Sequence, residues 1–399
     1  MIKITSFGCR LNSFESEIIR HRCEGSGLKN IVVIHSCAVT GEAERQARQA
    51  ARTALKQGAR VIVAGCSAQK SAESFVELGV AAVFGNKEKL EESSYKQLAK
   101  LSPDAPTLVL ASGEPSRQPE VLPERFELKT KAFIQIQQGC DYACAYCVVP
   151  ALRGKSQSFS REYIFSQIKT ALAGGYKEVV LTGVDIASYD NLKGLIRETL
   201  VHFPNLPRLR LSSLDPAKGY EWLFRLMADE PRLMPHLHLS LQSGDDSVLK
   251  SMGRRHKSAD IRKLVASARG FVPHIGLGAD IIAGFPGEKP EHFENTYRLI
   301  EECRIALLHV FPYSRREGTR AATMPGQVPE AEKKSRAGKL RRLGEKLRRD
   351  FISTQIGTTR PVLVEANGVG YTDNYIKVKV NAPENTIVNT GIFNASVVT

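Results

Sequence analysis

The sequence predicts an α/β chain in three parts. These are an N-terminal open parallel sheet covered by helices, a central partial parallel (β/α) barrel and a small C-terminal all-β domain. Three observations carry that expectation. Short apolar runs alternate with helical patterns from Ile2 to Leu78, a rhythm that builds parallel sheets. A second series of β-rich runs separated by helical patterns follows between Phe133 and Val310. Past Gly357 helical periodicity gives way to apolar–polar alternation.

In the first part, Ile2–Ser6 reads as a strand and Ser13–Cys23 as a helix. Ile31–Ile34 and Arg60–Ala64 read as buried strands, each followed by a helical pattern, over Glu42–Gln57 and Ala72–Leu78. Three of these strands run into a cysteine: Gly8-Cys9, Ser36-Cys37 and Gly65-Cys66. The C-terminal ends of parallel strands share one edge of the sheet, so three cysteines distant in sequence can converge there.

Ser112–Thr130 is rich in proline and charge and reads as a linker. Domain boundaries are therefore expected at 1–112, with a linker over 113–125, then 126–356 and 357–399. Strands are expected at Phe133–Ile136, Glu178–Leu181, Arg208–Leu211, His236–Leu239, Ile275–Leu277 and Ala306–Val310. Chemistry in such a barrel sits at the C-terminal strand ends. Lys333–Arg349 predicts a strongly basic helix, and Pro361–Val364, Tyr375–Val380 and Ala395–Val398 predict the strands of the tail.

The chain has 399 residues, of which 42% are hydrophobic and 25% charged, enough for more than one core. No apolar run is long enough to span a bilayer, and the first residues lack the pattern of a secretory signal. A cytoplasmic protein with no membrane partner is expected. The net charge of +14 favours a polyanionic partner, with RNA the simplest.

Gly139–Cys147 holds Cys140, Cys144 and Cys147 in the spacing C-x3-C-x2-C, directly after a strand. Three thiolates on one loop can wrap a cubic 4Fe-4S cluster and leave one iron open. An open iron can chelate S-adenosylmethionine, whose reductive cleavage yields a 5′-deoxyadenosyl radical. A zinc knuckle is the competing reading, but it wants a fourth ligand nearby, and the next histidine is His202.

The segment from Gln137 to Pro150 with Arg153-Gly154 resembles the radical-SAM methylthiotransferase family. Phe7–Asn12 with Glu15-Ser16-Glu17, Ser36–Thr40 and Gly65–Gln69 resemble that family's upstream motifs. Leu239–Gly244, Gly284–Glu288 and His309–Ser314 resemble its downstream ones, and the β-rich tail is similar to its RNA-binding TRAM domain. The resemblance implies that Cys9, Cys37 and Cys66 hold a second 4Fe-4S cluster beside the one on Cys140, Cys144 and Cys147. It also implies two molecules of S-adenosylmethionine per product. One methylates a sulfur at the upstream cluster; the other furnishes the radical that takes hydrogen from carbon 2 of an adenine. The motif at Gly8–Asn12 and the stretch His309–Met324 most resemble the branch acting on N6-threonylcarbamoyladenosine beside the anticodon. Partners implied are the tRNA anticodon stem-loop and an electron donor such as flavodoxin or ferredoxin, and a monomer is expected.

S-adenosylmethionine contacts are expected from strand ends: Asp185, Ser213, Ser240, Gln242 and Arg254. Each also has an ordinary reading as a cap, a turn bond or a solvated charge. Cys23 and Cys303 lie in helical or apolar surroundings and are expected in the core. Arg153 is a candidate cation for the threonylcarbamoyl carboxylate. Arg336, Lys339, Arg341, Arg342, Lys346, Arg348 and Arg349 are candidate phosphate contacts, with Tyr371, Tyr375 and Phe393 available for base stacking. The sequence departs from the family pattern at His35, where asparagine is usual, and in a shorter segment after Tyr189. The alternative functions are methylthiolation of isopentenyladenosine in tRNA or of a ribosomal-protein aspartate, and, more distantly, a non-catalytic RNA-binding metal protein.

Overall fold

The computed structural model describes residues 2–8, 10–116, 118, 119 and 130–398. Cys9 and part of the 113–125 segment fall outside them.

The N-terminal sheet contains β1 (Ile2–Ser6), β2 (Ile31–Ser36), β3 (Arg60–Gly65), β4 (Ala82–Phe84) and β5 (Leu108–Leu110), parallel and in sequence order. β4 and β5 have three residues each, too few to show a period, so the pattern of the chain did not predict them. The helix expected at Ala72–Leu78 is shortened to Glu73–Val76, and a separate short helix, Cys66–Lys70, precedes it. On the helix Gly41–Lys56, Thr40 caps the first turn by accepting from the Ala43 N–H at 3.2 Å, and Ala47, Ala51 and Ala54 bury a small-residue face on the sheet.

The helix Arg10–Gly25 is buried on two sides. Ile19 and Cys23 join the core of the N-terminal sheet, whereas Phe14 and Ile18 join the central core. Its two apolar stripes thus weld the two units together.

The central unit has β6 (Lys131–Gln138) with its short antiparallel partner β7 (Gln157–Ser158), then β8 (Glu178–Gly183) and β9 (Arg208–Leu211). A second sheet contains β10 (His236–Gln242), β11 (Gly276–Ala283) and β12 (Leu307–Pro312). Parallel bridges Leu209–Leu233 and Leu214–Leu239 join the two sheets into an open half-barrel. Leu, Ile and Val from the strands and the covering helices fill its core.

The C-terminal sheet is antiparallel, with β13 (Thr359–Glu365), β14 (Val369–Thr372), β15 (Lys377–Lys379) and β16 (Ile387–Gly391) in the order β15-β14-β13-β16. The single strand expected over Tyr375–Val380 is interrupted. Tyr375 has φ +77° in the turn between β14 and β15. Residues Asn394–Ser396 form a short 3-10 turn, and only a bridge from Val397 to Val378 remains of the last expected strand. No helix among the described residues is long and apolar enough to cross a membrane.

A candidate active site between the two sheets

β6 ends in a loop that only glycine can start. Gly139 has φ +70°, and a Cβ there would lie 1.9 Å from the Lys155 carbonyl oxygen. The Cys140 N–H donates to the Gly154 carbonyl at 3.0 Å, and the Ser156 N–H donates to Asp141 at 3.0 Å. The far side is pinned too: the Ala145 N–H donates to Met252, and the Ala145 carbonyl accepts from Ala321, both at 2.8 Å. Tyr146 packs edge-on against Phe285.

The three thiols of this loop, at Cys140, Cys144 and Cys147, are partly buried and none is in a disulfide. Burial pushes Cys140 up to about 11 and Cys147 up to about 12. Thiols so placed ionise only beside positive charge, so the donor set suits a cationic iron–sulfur centre. The Cys147 sulfur accepts from the Val149 N–H at 3.4 Å, and the Cys144 sulfur lies 3.7 Å from Arg254. The first of these favours a thiolate at Cys147.

On the N-terminal sheet, Cys37 and Cys66 follow directly on β2 and β3, and both are buried. Cys9 lies outside the described residues, but its neighbour Gly8 is close against Cys37. With φ +106°, a Cβ on Gly8 would come within 2.5 Å of the Cys37 Cβ and 2.7 Å of its sulfur. The Cys37 sulfur accepts from the Val39 N–H at 3.5 Å, and the Cys66 sulfur from Asn86 Nδ2 at 3.5 Å.

Beneath both cysteine loops lies a buried charge network. Glu15, completely buried, accepts from Arg153 at 2.8 and 3.0 Å and from Lys89 at 2.7 Å. Burial alone would raise the Glu15 carboxyl, but Arg153 and Lys89 outweigh it and hold the group well below the usual carboxylate range. Arg153 also reaches Asn12 and Gln138, each at 3.2 Å, and Lys89 reaches Asn86 at 2.8 Å. His35 completes the network: its Nδ1 is 2.9 Å from Ser16 Oγ and its Nε2 3.5 Å from Glu15. The expectation that Arg153 meets a substrate carboxylate is therefore corrected. Its guanidinium is spent on Glu15 and is only 3% exposed.

Above the network, a cavity of about 490 Å³ separates the sheets. Cys37, Val39 and Thr40 line it from one side, and Tyr146, Cys147 and the strand ends of the half-barrel from the other. Of the expected cofactor contacts, Ser213, Ser240 and Gln242 line this cavity. Gln242 has φ +70° just past a register shift in β10, which turns the strand end toward the opening. Asp185 and Arg254 are half-buried and are not among the residues that line it. Asp185 accepts from Ser188 Oγ at 2.5 Å, and its backbone N–H donates to Gln137 at 2.8 Å. Burial raises its carboxyl. Arg254 donates to the Ser240 carbonyl at 2.7 Å and lies 3.4 Å from Asp215. Arg255 stacks on Tyr142 at 3.6 Å and also reaches Asp215.

Sequence reasoning missed three further lining residues, His238, Asp280 and His309, from β10, β11 and β12. A signal existed: histidines are unusual inside otherwise apolar parallel strands.

The Radical SAM superfamily model matches residues 134–300, and the model described as Uncharacterized protein family UPF0004 matches residues 1–85. The chain is 44% identical to the threonylcarbamoyladenosine tRNA methylthiotransferase of Rickettsia prowazekii, over 95% of this chain and 91% of that protein. It is 33% identical to the protein of the same name from Thermotoga maritima, over 94% and 90%. The chain belongs to the radical-SAM methylthiotransferase family. A tRNA-2-methylthio-N(6)-dimethylallyladenosine synthase of Streptomyces viridosporus is 31% identical over 97% of this chain and 81% of that protein. In fold, this methylthiotransferase is similar to a radical S-adenosylmethionine methyltransferase from Kitasatospora setae, with TM-score 0.56 and 15% identity over 80% of this chain and 74% of that one. As a family member it works with S-adenosylmethionine and 4Fe-4S clusters.

Proposed function

We propose that this methylthiotransferase adds a methylthio group to carbon 2 of N6-threonylcarbamoyladenosine at position 37 of tRNA, using two molecules of S-adenosylmethionine and two 4Fe-4S clusters. The observation that carries the reading is the single cavity lined by Cys37 from the N-terminal sheet and Cys147 from the half-barrel loop. A reaction that needs a radical and a sulfur at one carbon needs both sources to open on one space. In this reading Cys140, Cys144 and Cys147 hold one cluster and Cys9, Cys37 and Cys66 the other. When bound, the cofactors supply the radical that removes hydrogen from carbon 2 and the methylthio group that replaces it. The chain's own residues position and shield. Ser213, Ser240, Gln242, Asp185 and Arg254 offer hydrogen bonds or charge to S-adenosylmethionine, and Arg254 also lies 3.7 Å from the Cys144 sulfur.

The same reading includes the divisions 1–112, 126–356 and 357–399, a tRNA anticodon stem-loop as partner, a flavodoxin- or ferredoxin-like electron donor, a monomeric state and a cytoplasmic location. The threonylcarbamoyl substrate is supported by the 44% identical relative of that name. A second reading, isopentenyladenosine, is favoured by the apolar lining of Leu11, Val39, Ile282 and Phe311 and by the 31% identical synthase. The test is a side-by-side turnover assay with tRNA bearing each nucleoside and with the ribosomal protein. Methylthio product on the threonylcarbamoyl RNA is expected. Product only on one of the other two would overturn the substrate assignment.

A further inference from the structure

The threonylcarbamoyl group brings a carboxylate into the cavity, and a carboxylate removed from water requires a positively charged or strongly donating partner. Among the described residues, no lysine or arginine lines the cavity wall. The nitrogen bases that do line it are His238 and His309, on β10 and β12, with Asp280 of β11 between them. His238 Nε2 lies 3.0 Å and His309 Nδ1 3.3 Å from the same Asp280 oxygen, and the two rings are 4.6 Å apart. Burial alone would raise the Asp280 carboxyl, but the two imidazoles outweigh it and hold the group well below its usual range. Asp280 is thus an anion, and the ring nitrogen facing it on each histidine carries the hydrogen.

That arrangement gives the two rings different roles. The His238 side chain is 4% exposed and is spent on Asp280. The His309 side chain is 58% exposed, on the cavity wall. With Nδ1 fixed by Asp280, Nε2 is the nitrogen left to meet a ligand. A carboxylate that enters the cavity together with a proton can be met by an Nε2–H donor, while Asp280 fixes the ring's orientation. Phe311, two residues on along β12 and lining the same cavity, sets an apolar surface beside it.

We propose that His309, oriented by Asp280, binds the free carboxylate of the threonylcarbamoyl group and so selects this substrate over nucleosides with uncharged substituents. The proposal rests on the substrate reading above and adds the residue that recognises it.

The experiment uses the reconstituted full chain and two anticodon stem-loops, one carrying threonylcarbamoyladenosine and one carrying its threoninamide analogue, in which the carboxylate is neutral. The wild type is expected to prefer the carboxylate RNA about ten- to hundredfold in kcat/KM, the range of one charge-assisted hydrogen bond. His309→Gln is expected to bring that ratio close to one by losing carboxylate turnover while keeping amide turnover. Asp280→Asn is expected to shift the ratio the same way by a smaller factor. A ratio that stays at the wild-type value overturns the proposal. So does an equal loss on both RNAs, a raised S-adenosylmethionine requirement, or stoichiometric zinc that disappears with His309. If the wild type modifies isopentenyl RNA and leaves the threonylcarbamoyl RNA untouched, the substrate reading itself has failed, which is a separate outcome.

Discussion

Arg153, just past the cysteine loop of the half-barrel, holds Glu15 of the first helix with both terminal guanidinium nitrogens, at 2.8 and 3.0 Å. The pair spans 138 residues of chain and joins the two cysteine-bearing units. Replacing Glu15 by Gln leaves Arg153 and Lys89 buried without their anion. A loss of about 3–5 kcal/mol is expected, as when one partner of a buried pair is removed. Urea unfolding of the apoprotein checks it. A variant as stable as the wild type would mean that water already reaches this network.

The thiols sort into two classes. Cys23 and Cys303 are buried in the cores, at 0% and 4% exposure, and burial pushes Cys23 up to about 12. Changing either to Ser is expected to cost about 1–3 kcal/mol, because a hydroxyl replaces an apolar contact, and to leave iron content intact. Replacing Cys140, Cys144 and Cys147 together is expected to lower iron from about eight to about four per chain and to abolish 5′-deoxyadenosine formation. Iron analysis and product chromatography read both outcomes, and loss of iron from folded Cys23→Ser would mean the ligands are mis-sorted.

The basic helix Glu330–Ser353 is only partly available to RNA. Arg336 is buried on Glu288 at 2.6 Å, Arg341 donates to the Val310 carbonyl and Arg348 to the Val398 carbonyl. Lys339, Arg342, Lys346 and Arg349 are exposed, as is Arg341 despite its backbone bond. Lys339 and Arg342 line a groove with Tyr297 and Phe293. Charge reversal at Lys339, Arg342 and Arg349 is expected to weaken tRNA binding and to lower the salt dependence by roughly one unit of slope for each phosphate no longer neutralised. Reversal at Arg336 is expected to unfold the helix packing instead. An unchanged salt slope in the triple variant would give the helix a structural role alone.

His256 donates Nε2–H to the Leu241 carbonyl at 3.1 Å, and burial, helped by Arg254, lowers it to about 4. The unfolded imidazole titrates near 6.5. Between those values the unfolded chain binds more protons, so stability is complete above pH 6.5 and falls as pH drops toward 4. The contribution of this one group is at most about 1.4 kcal/mol per pH unit. His35, lowered to about 4 chiefly by burial, acts in the same window. His256→Gln is expected to flatten, without abolishing, the decline in unfolding midpoint between pH 7 and 5. An identical decline in the variant would locate the effect elsewhere.

Two tail aromatics show how a local reading can mislead. Tyr371 and Tyr375 lie in a tail that alternates apolar and basic residues, and as such read as available for base stacking. Yet Tyr375 stacks on His236 at 4.4 Å, and Lys131 lies 4.1 Å over the Tyr371 ring, so both fasten the tail to the half-barrel. Phe393, 59% exposed, keeps the expected freedom.

The sequence by itself determined the α/β architecture, the cysteine loop after β6 and the core positions of Cys23 and Cys303. These rest on local period, on close spacing along one loop and on apolar neighbours, which a linear chain displays directly. It also displayed family membership, because motifs in a fixed order are a linear property. Only the tertiary structure decided that Arg153 serves Glu15 rather than a substrate, that Arg336 serves Glu288, and that His238, Asp280 and His309 meet on one wall. Each is a pairing between side chains far apart in sequence. Which charge a buried arginine neutralises depends on the packing that excludes water from both partners, and no pattern along the chain records that.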